Sequence, residues 1–416
     1  MIPSAPLATA LEQRARAWLA GEARALAARV RQHVPFTRRG IAVAPGALRV
    51  GPLLAIDRAL GQQARAVLRE LDAFVDALAR QSPAPASAQR SLTVLRMRAA
   101  ALATNVDVFA DVLVQRAEPA LGLELAGLDV LADAALVLPP TMPRPSILCY
   151  LDRGQGASIR RARTRLPGGG MNPVAIVRVP VERMTGVGVG TSVCHEVGHQ
   201  AAALLDLVPA VREPLLRHRG VAARQYARWI SEIVADLWAL MRMGPAATAG
   251  LIGVLGLPRA FMLRASPGDP HPPPWLRVPL SCAFGEALWP DPIWARLRGL
   301  WLALHPAPAP GTAAADALDL VLAGMPTLVE LVLQTRVPRL RARLGHALPD
   351  PRCRPGAMAQ QLAHGGLAAI ETTDPTHALA LVGAARLSGL LEPGQEPGLV
   401  RDLLTHWALQ RELQPS

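Results

Sequence analysis

The sequence contains no lysine, so all 44 of its basic side chains are arginine. With alanine, glycine and proline abundant, that bias fits a GC-rich coding sequence better than a surface selected for positive charge. The formal net charge of +12 is therefore a weak guide to partners. Arginines cluster in 158–166 and 335–344. No stacking aromatics are interleaved there, and no nucleic-acid partner is expected. The four cysteines, at 149, 194, 282 and 353, are too few and too scattered for a disulfide framework or a paired-cysteine metal site. They read as free thiols of a reducing compartment, and the expected location is cytoplasmic. No apolar core preceded by a basic stretch opens the chain, so no secretory signal is expected. The most apolar run, 244–263, is broken by Pro258 and Arg259, which excludes it as an integral membrane segment and suggests a buried helix followed by a turn. Gly188 and Gly190 are followed by no lysine and complete no dinucleotide pattern, which argues against a phosphate loop.

What the chain does have is helical patterning and an apolar content of 51% over 416 residues, enough for sizeable cores and two or three domains. Apolar residues recur at spacings of three and four in 7–34, 55–81 and 91–117, and again in 290–304, 326–340, 374–390 and 397–413. Breaks fall at 82–87, 139–145 and 305–311, where proline is dense. Short β-branched runs at 146–152, 157–164 and 173–179 predict a small sheet. The expectation is a predominantly helical α+β chain: a helical region 1–138, a core 139–265 and a helical region 266–416 that closes a cleft.

The core carries the motif that most constrains function, His195-Glu196-Val197-Gly198-His199. Chance would produce a His-Glu-x-x-His in about one such chain in a hundred. On a helix, positions i and i+4 share a face, so His195 and His199 can offer two imidazoles to one cation while Glu196 projects about 100 degrees away. Two neutral imidazoles leave zinc short of ligands, and a carboxylate from a second helix would complete a three-ligand site with one open position. Glu232 is the candidate: Trp229, Ile230, Ile233, Val234, Leu237 and Trp238 mark its helix as largely buried, where an unpaired carboxylate is costly. Asp236, one turn on, can accept the free ring N–H of a ligating histidine. The bland alternative for Glu232 and Asp236 is a buried ion pair with Arg224 or Arg228. Tyr226 falls 1.7 turns before Glu232 and faces away from it.

Glycine at 198 costs about 1 kcal/mol in a helix relative to alanine, which implies a close approach by another backbone or by substrate. Thr191 or Ser192 is expected to cap the metal helix. The segment 172–182 reads as a strand, and Pro180 suggests an edge position to which an extended peptide substrate could add.

The pair HEVGH and Glu232-Ile233-Val234-Ala235-Asp236 resembles the gluzincin division of zinc metallopeptidases, and Glu-x-x-Ala-Asp is similar to the CAAX-prenyl protease and HtpX-like group. Those families also carry a His-Pro-Pro segment ending in arginine, matched in order by His271-Pro272-Pro273-Pro274-Trp275-Leu276-Arg277. The resemblance covers roughly 172–280. It lacks the long apolar spans of the membrane members. It implies a zincin-like catalytic core with the small sheet in 139–265, Zn2+ on His195, His199 and Glu232, Glu196 as general base, and His271 or Arg277 as oxyanion partner. The implied reaction is peptide hydrolysis: zinc activates water and polarises the carbonyl, and Glu196 accepts a proton and passes it to the leaving amine. Two other readings stand beside it. One is a non-catalytic zinc-binding scaffold whose helical regions dock a protein partner, and the other is a zinc hydrolase of a non-peptide substrate.

Overall fold

The computed structural model describes residues 5–36, 43–80, 83–154, 156–184, 186–218, 220–264, 269–371, 374–392 and 394–413. Helices dominate and the strands are few, as the periodicities predict. The chain divides into two compact units, one of residues 1–122 with 161–175, the other of 123–160 with 176–416.

The first unit rests on three long helices, α1 (Ala5–Gln32), α2 (Val50–Ala79) and α3 (Pro85–Val114), each packed on the other two. Along α2 the buried stripe runs Ile56, Leu60, Ala64, Val67, Leu71, Phe74, Leu78, the three-and-four spacing that directs one face inward. Each such aliphatic side chain contributes about 1.5–3 kcal/mol on full burial. α3 starts inside the proline-dense 82–87 stretch, because Pro85 occupies its first turn, where a missing N–H costs nothing.

Among the described residues the second unit holds the sheet and the helices α4 (Pro119–Ala135, whose first turn lies in the other unit), α5 (Gly188–Leu205), α6 (Leu207–Arg217), α7 (Val221–Met243), α8 (Pro245–Val254), α9 (Arg259–Met262), α10 (Pro274–Leu288), α11 (Pro292–Leu304), α12 (Ala313–Ala323), α13 (Met325–Gln334), α14 (Leu344–Ala347), α15 (Pro355–Gly365), α16 (Ala368–Glu371), α17 (Pro375–Leu387) and α18 (Glu396–Leu413). The strands are β1 (Ile147–Asp152), β2 (Ser158–Arg160) and β3 (Ala175–Pro180), in the order β1-β3-β2, and the short β4 (Arg336–Val337) and β5 (Ala342–Arg343) pair separately. Among the described residues no helix is long and apolar enough to cross a membrane. The apolar run at 244–263 resolves into α8, a turn and the short α9.

Three expectations are corrected. β3 is the central strand of its sheet, with β2 antiparallel on one side, Ile159 opposite Val177. Pro180 is only its last residue, so it interrupts no interior ladder and marks no edge. The helical pattern at 326–340 ends at Gln334: Val337 precedes Pro338, which disfavours helical backbone, and the chain turns through Arg341 at φ 54° into β5. Neither Thr191 nor Ser192 caps the helix of His195 and His199, since α5 begins at Gly188 and both lie buried within it. The capping carboxylate comes instead from Glu396, whose Oε1 accepts the Val187 N–H at 2.6 Å.

Candidate metal centre

Helices α5 and α7 form the closest-packed pair around the site, and Gly198 shows why. A Cβ there would fall 2.8 Å from Trp238 Cβ, closer than atoms tolerate, and 3.1 Å from Ala235 Cα, a tight contact. The glycine lets two backbones approach, so it is α7 that occupies the space its missing side chain leaves. The approach brings side chains from positions 195, 199 and 232 to one place. His195 Nε2 lies 3.4 Å from Glu232 Oε2, and His199 Nε2 lies 3.4 Å from Glu232 Oε1. The two rings stand edge to face, 88° apart, with centroids separated by 4.9 Å. One donor atom from each of the three residues lies within 4.8 Å of the others. Two imidazoles and a carboxylate, converging from two rigid helices, can hold a metal ion, and the donor set suits zinc.

The surroundings orient this set. Asp236 Oδ1 accepts from His195 Nδ1 at 2.7 Å, which leaves Nε2 pointing at the centre. Asp236 is itself gripped by Arg277 from α10, Nε to Oδ2 at 2.8 Å and Nη2 to Oδ1 at 2.7 Å. Such a planar, two-point match between guanidinium and carboxylate fixes both partners. His199 has a looser attendant in Ser231, whose Oγ is 3.5 Å from Nδ1. His271, with an exposed side chain, reaches from the loop before α10 and places Nε2 3.7 Å from Glu232 Oε2. Glu196 is buried beside the three, and 6% of its surface remains accessible.

Charge is balanced by this arrangement. Burial works against the ionised forms of Glu232 and Asp236, but His195 and His199 hold Glu232 well below the usual carboxylate range, and Arg277 with His195 does the same for Asp236. Burial would depress His195, yet Asp236 and Glu232 override it and hold the ring up at about 10. Glu196 moves the other way: burial raises it, and the neighbouring histidines only partly offset that. Arg277 stays charged because Asp236 outweighs its own burial.

The residues singled out from sequence, His195, Glu196, His199, Glu232, Asp236, His271 and Arg277, thus lie in one neighbourhood. Arg277 sits behind Asp236, engaged with it, while His271 faces Glu232. Tyr226 is elsewhere, its hydroxyl donating to Val321 O at 2.6 Å. Two contributors were not read from sequence, Ser231 and Asp269. The second had a local signal: an Asp two residues before His, with proline around it, is the pattern of a side chain that hydrogen-bonds its own backbone two residues on. No family model, curated protein or solved structure matches this chain.

Proposed function

We propose that the protein is a zinc-dependent metallopeptidase of the gluzincin type with a zincin-like core, similar to the CAAX-prenyl protease and HtpX-like group. The observation that carries this reading is the pairing of His195 and His199 with the two separate oxygens of Glu232, beside the buried carboxyl of Glu196. His195, His199 and Glu232 would hold the ion. Zinc bound there supplies a Lewis acid that polarises a carbonyl and brings the pKa of a water toward neutrality.

The chain's own groups do the rest. Glu196 accepts a proton at its carboxylate and returns it to the leaving amine, and a base lifted above the ordinary carboxylate range by burial is better matched to neutral pH. His271, on the exposed side of Glu232, can stabilise a developing oxyanion as its imidazolium, the form in which Nε2 also carries a proton. Arg277 acts through Asp236 and keeps His195 aimed. With β3 central, an extended peptide has the outer edge of β2 for backbone pairing, and β2 packs on α5. The four cysteines are buried and in no disulfide, in keeping with a reducing, cytoplasmic setting.

Metal analysis of the purified chain and of Glu196→Gln, with a peptide-library digest of each, tests the proposal. About one zinc per chain in both, with cleavage by the wild type alone, is expected. A chain that holds no zinc overturns it, and zinc in both without a difference in function points to the non-catalytic scaffold.

A further inference from the structure

His271 is held by more than its place in the chain. Pro270 precedes it and Pro272, Pro273 and Pro274 follow, so backbone freedom on both sides is restricted. The three trailing prolines lead directly into α10, which is anchored a turn later where Arg277 grips Asp236. What remains free is the ring, which could swing about its side-chain bonds and offer either nitrogen to the site. Asp269 removes that freedom. Its Oδ1 accepts the His271 backbone N–H at 2.9 Å and the His271 Nδ1 at 2.8 Å, so one carboxylate oxygen ties ring and main chain together. The opposite nitrogen, Nε2, is then the one directed to Glu232 Oε2.

We propose that Asp269 is a positioning residue, which fixes the His271 ring with its Nδ1–H committed to the Asp269 carboxylate and Nε2 presented to the metal-ligating edge of Glu232. This rests on the metallopeptidase reading for its purpose, but not for its geometry. A ring nitrogen that must donate to a carboxylate carries a proton, and the hydrogen bond made by one ring nitrogen sets the state of the other. Asp269 is also held in its charged form, below the usual carboxylate range, by the same two hydrogen bonds from His271. The half-exposed position of this pair costs little desolvation, and its value is in orientation.

The full-length chain, labelled with 15N in its histidines, provides the test, with the His271 ring signals assigned by their loss in His271→Gln. Long-range proton–nitrogen spectra of the wild type, recorded where the His271 ring carries a single proton, should show that proton at Nδ1. Asp269→Ala should move the proton to Nε2. Asp269→Asn keeps the oxygen that takes both hydrogen bonds and should leave the ring and kcat near wild type. On a peptide that the wild type cleaves in the library digest, Asp269→Ala should lower kcat about tenfold or more with KM within about twofold. A wild-type ring protonated at Nε2 and indifferent to Asp269→Ala overturns the proposal, as does a change in KM alone. A chain without zinc or cleavage would instead overturn the metallopeptidase reading and leave the ring result to decide the role of Asp269.

Discussion

Asp236 and Arg277 meet through two hydrogen bonds, of 2.7 and 2.8 Å, and the same Asp236 Oδ1 that receives Arg277 Nη2 also receives His195 Nδ1. An arginine on α10 therefore reaches His195 on α5 through a carboxylate on α7. Both members of the ion pair are largely buried, with side-chain exposures of 16% and 12%, so removing one strands the other in a medium that solvates it poorly.

Replacing Arg277 should thus act on metal and fold together. Arg277→Met is expected to cost up to about 3 kcal/mol of stability by leaving the buried Asp236 with His195 as its remaining partner. Zinc affinity should fall about 10–100-fold, as for other partners of ligating histidines. Arg277→Lys should recover part of the stability but little of the affinity, since an ammonium cannot make the two-point contact. Chelator competition for zinc and thermal melts would measure both, and an affinity unchanged in Arg277→Met would refute the relay.

Gly198→Ala offers a test of helix approach. Alanine gains about 1 kcal/mol of helix propensity, but its Cβ would press on Trp238 Cβ and Ala235. Overpacking of this kind costs about 1–3 kcal/mol, and the strain falls between His195 and His199. The variant should melt lower and bind zinc more weakly than wild type. A rise in melting temperature would show that α5 and α7 part without penalty.

The pattern of what was legible in the sequence follows from these contacts. The face shared by His195 and His199, and the place of Asp236 one turn beyond Glu232, are consequences of helix periodicity, which the chain displays directly. Arg277 could be noticed by its distance from His271, but its partner depends on how α10 lies against α7, which no local pattern encodes. Pro180 misled for a related reason: a proline at a strand's last residue is compatible with an edge or a centre, and only the order β1-β3-β2 decides. Glu396, 209 residues from the Val187 N–H it accepts, carries no sequence signal of that role at all.

Glu396 nonetheless should matter. Its side chain is 2% exposed, one oxygen taking the Val187 N–H and the other Arg386 Nη1 at 2.7 Å. Glu396→Ala leaves a buried N–H at the start of α5 without this acceptor, at a cost of about 1–3 kcal/mol. Denaturant unfolding should report that loss, and a midpoint equal to wild type would mean that water replaces the carboxylate.

Acid should weaken a second cluster. Asp350 accepts from Arg242 Nη2 at 2.9 Å and from Arg352 through its backbone N–H and side chain, and Arg352 also pairs with Asp374. Burial opposes ionisation of both carboxyls, but hydrogen bonds, from Arg352 to Asp350 and from Thr376 to Asp374, with the charge of Arg352 on both, pull them below the usual value. The stability they carry is whole above about pH 4, the unfolded value, and drains away as pH falls through the depressed folded values. Arg352→Met should therefore destabilise at neutral pH and converge on wild type in acid. A difference that stays constant down to about pH 2 would assign the effect to packing rather than charge.

The candidate metal centre should also weaken as pH falls, but through competition between proton and cation. His195, held up at about 10 by Asp236 and Glu232 once burial is overcome, is charged at neutral pH, with its Nε2 proton directed at Glu232. A ligating imidazole must surrender that proton, so cation and proton compete for Nε2. The Nδ1 proton stays with Asp236, and the Glu232 carboxyl, already ionised, releases nothing. Zinc affinity should accordingly rise about tenfold per pH unit from about pH 6 to pH 9, with about one proton released per ion. Calorimetry in two buffers of different ionisation enthalpy counts that proton, and His195→Gln should abolish its release along with most of the affinity. Tight binding with no proton released would mean that His195 is not a ligand, and the converging geometry of α5 and α7 would then need another purpose.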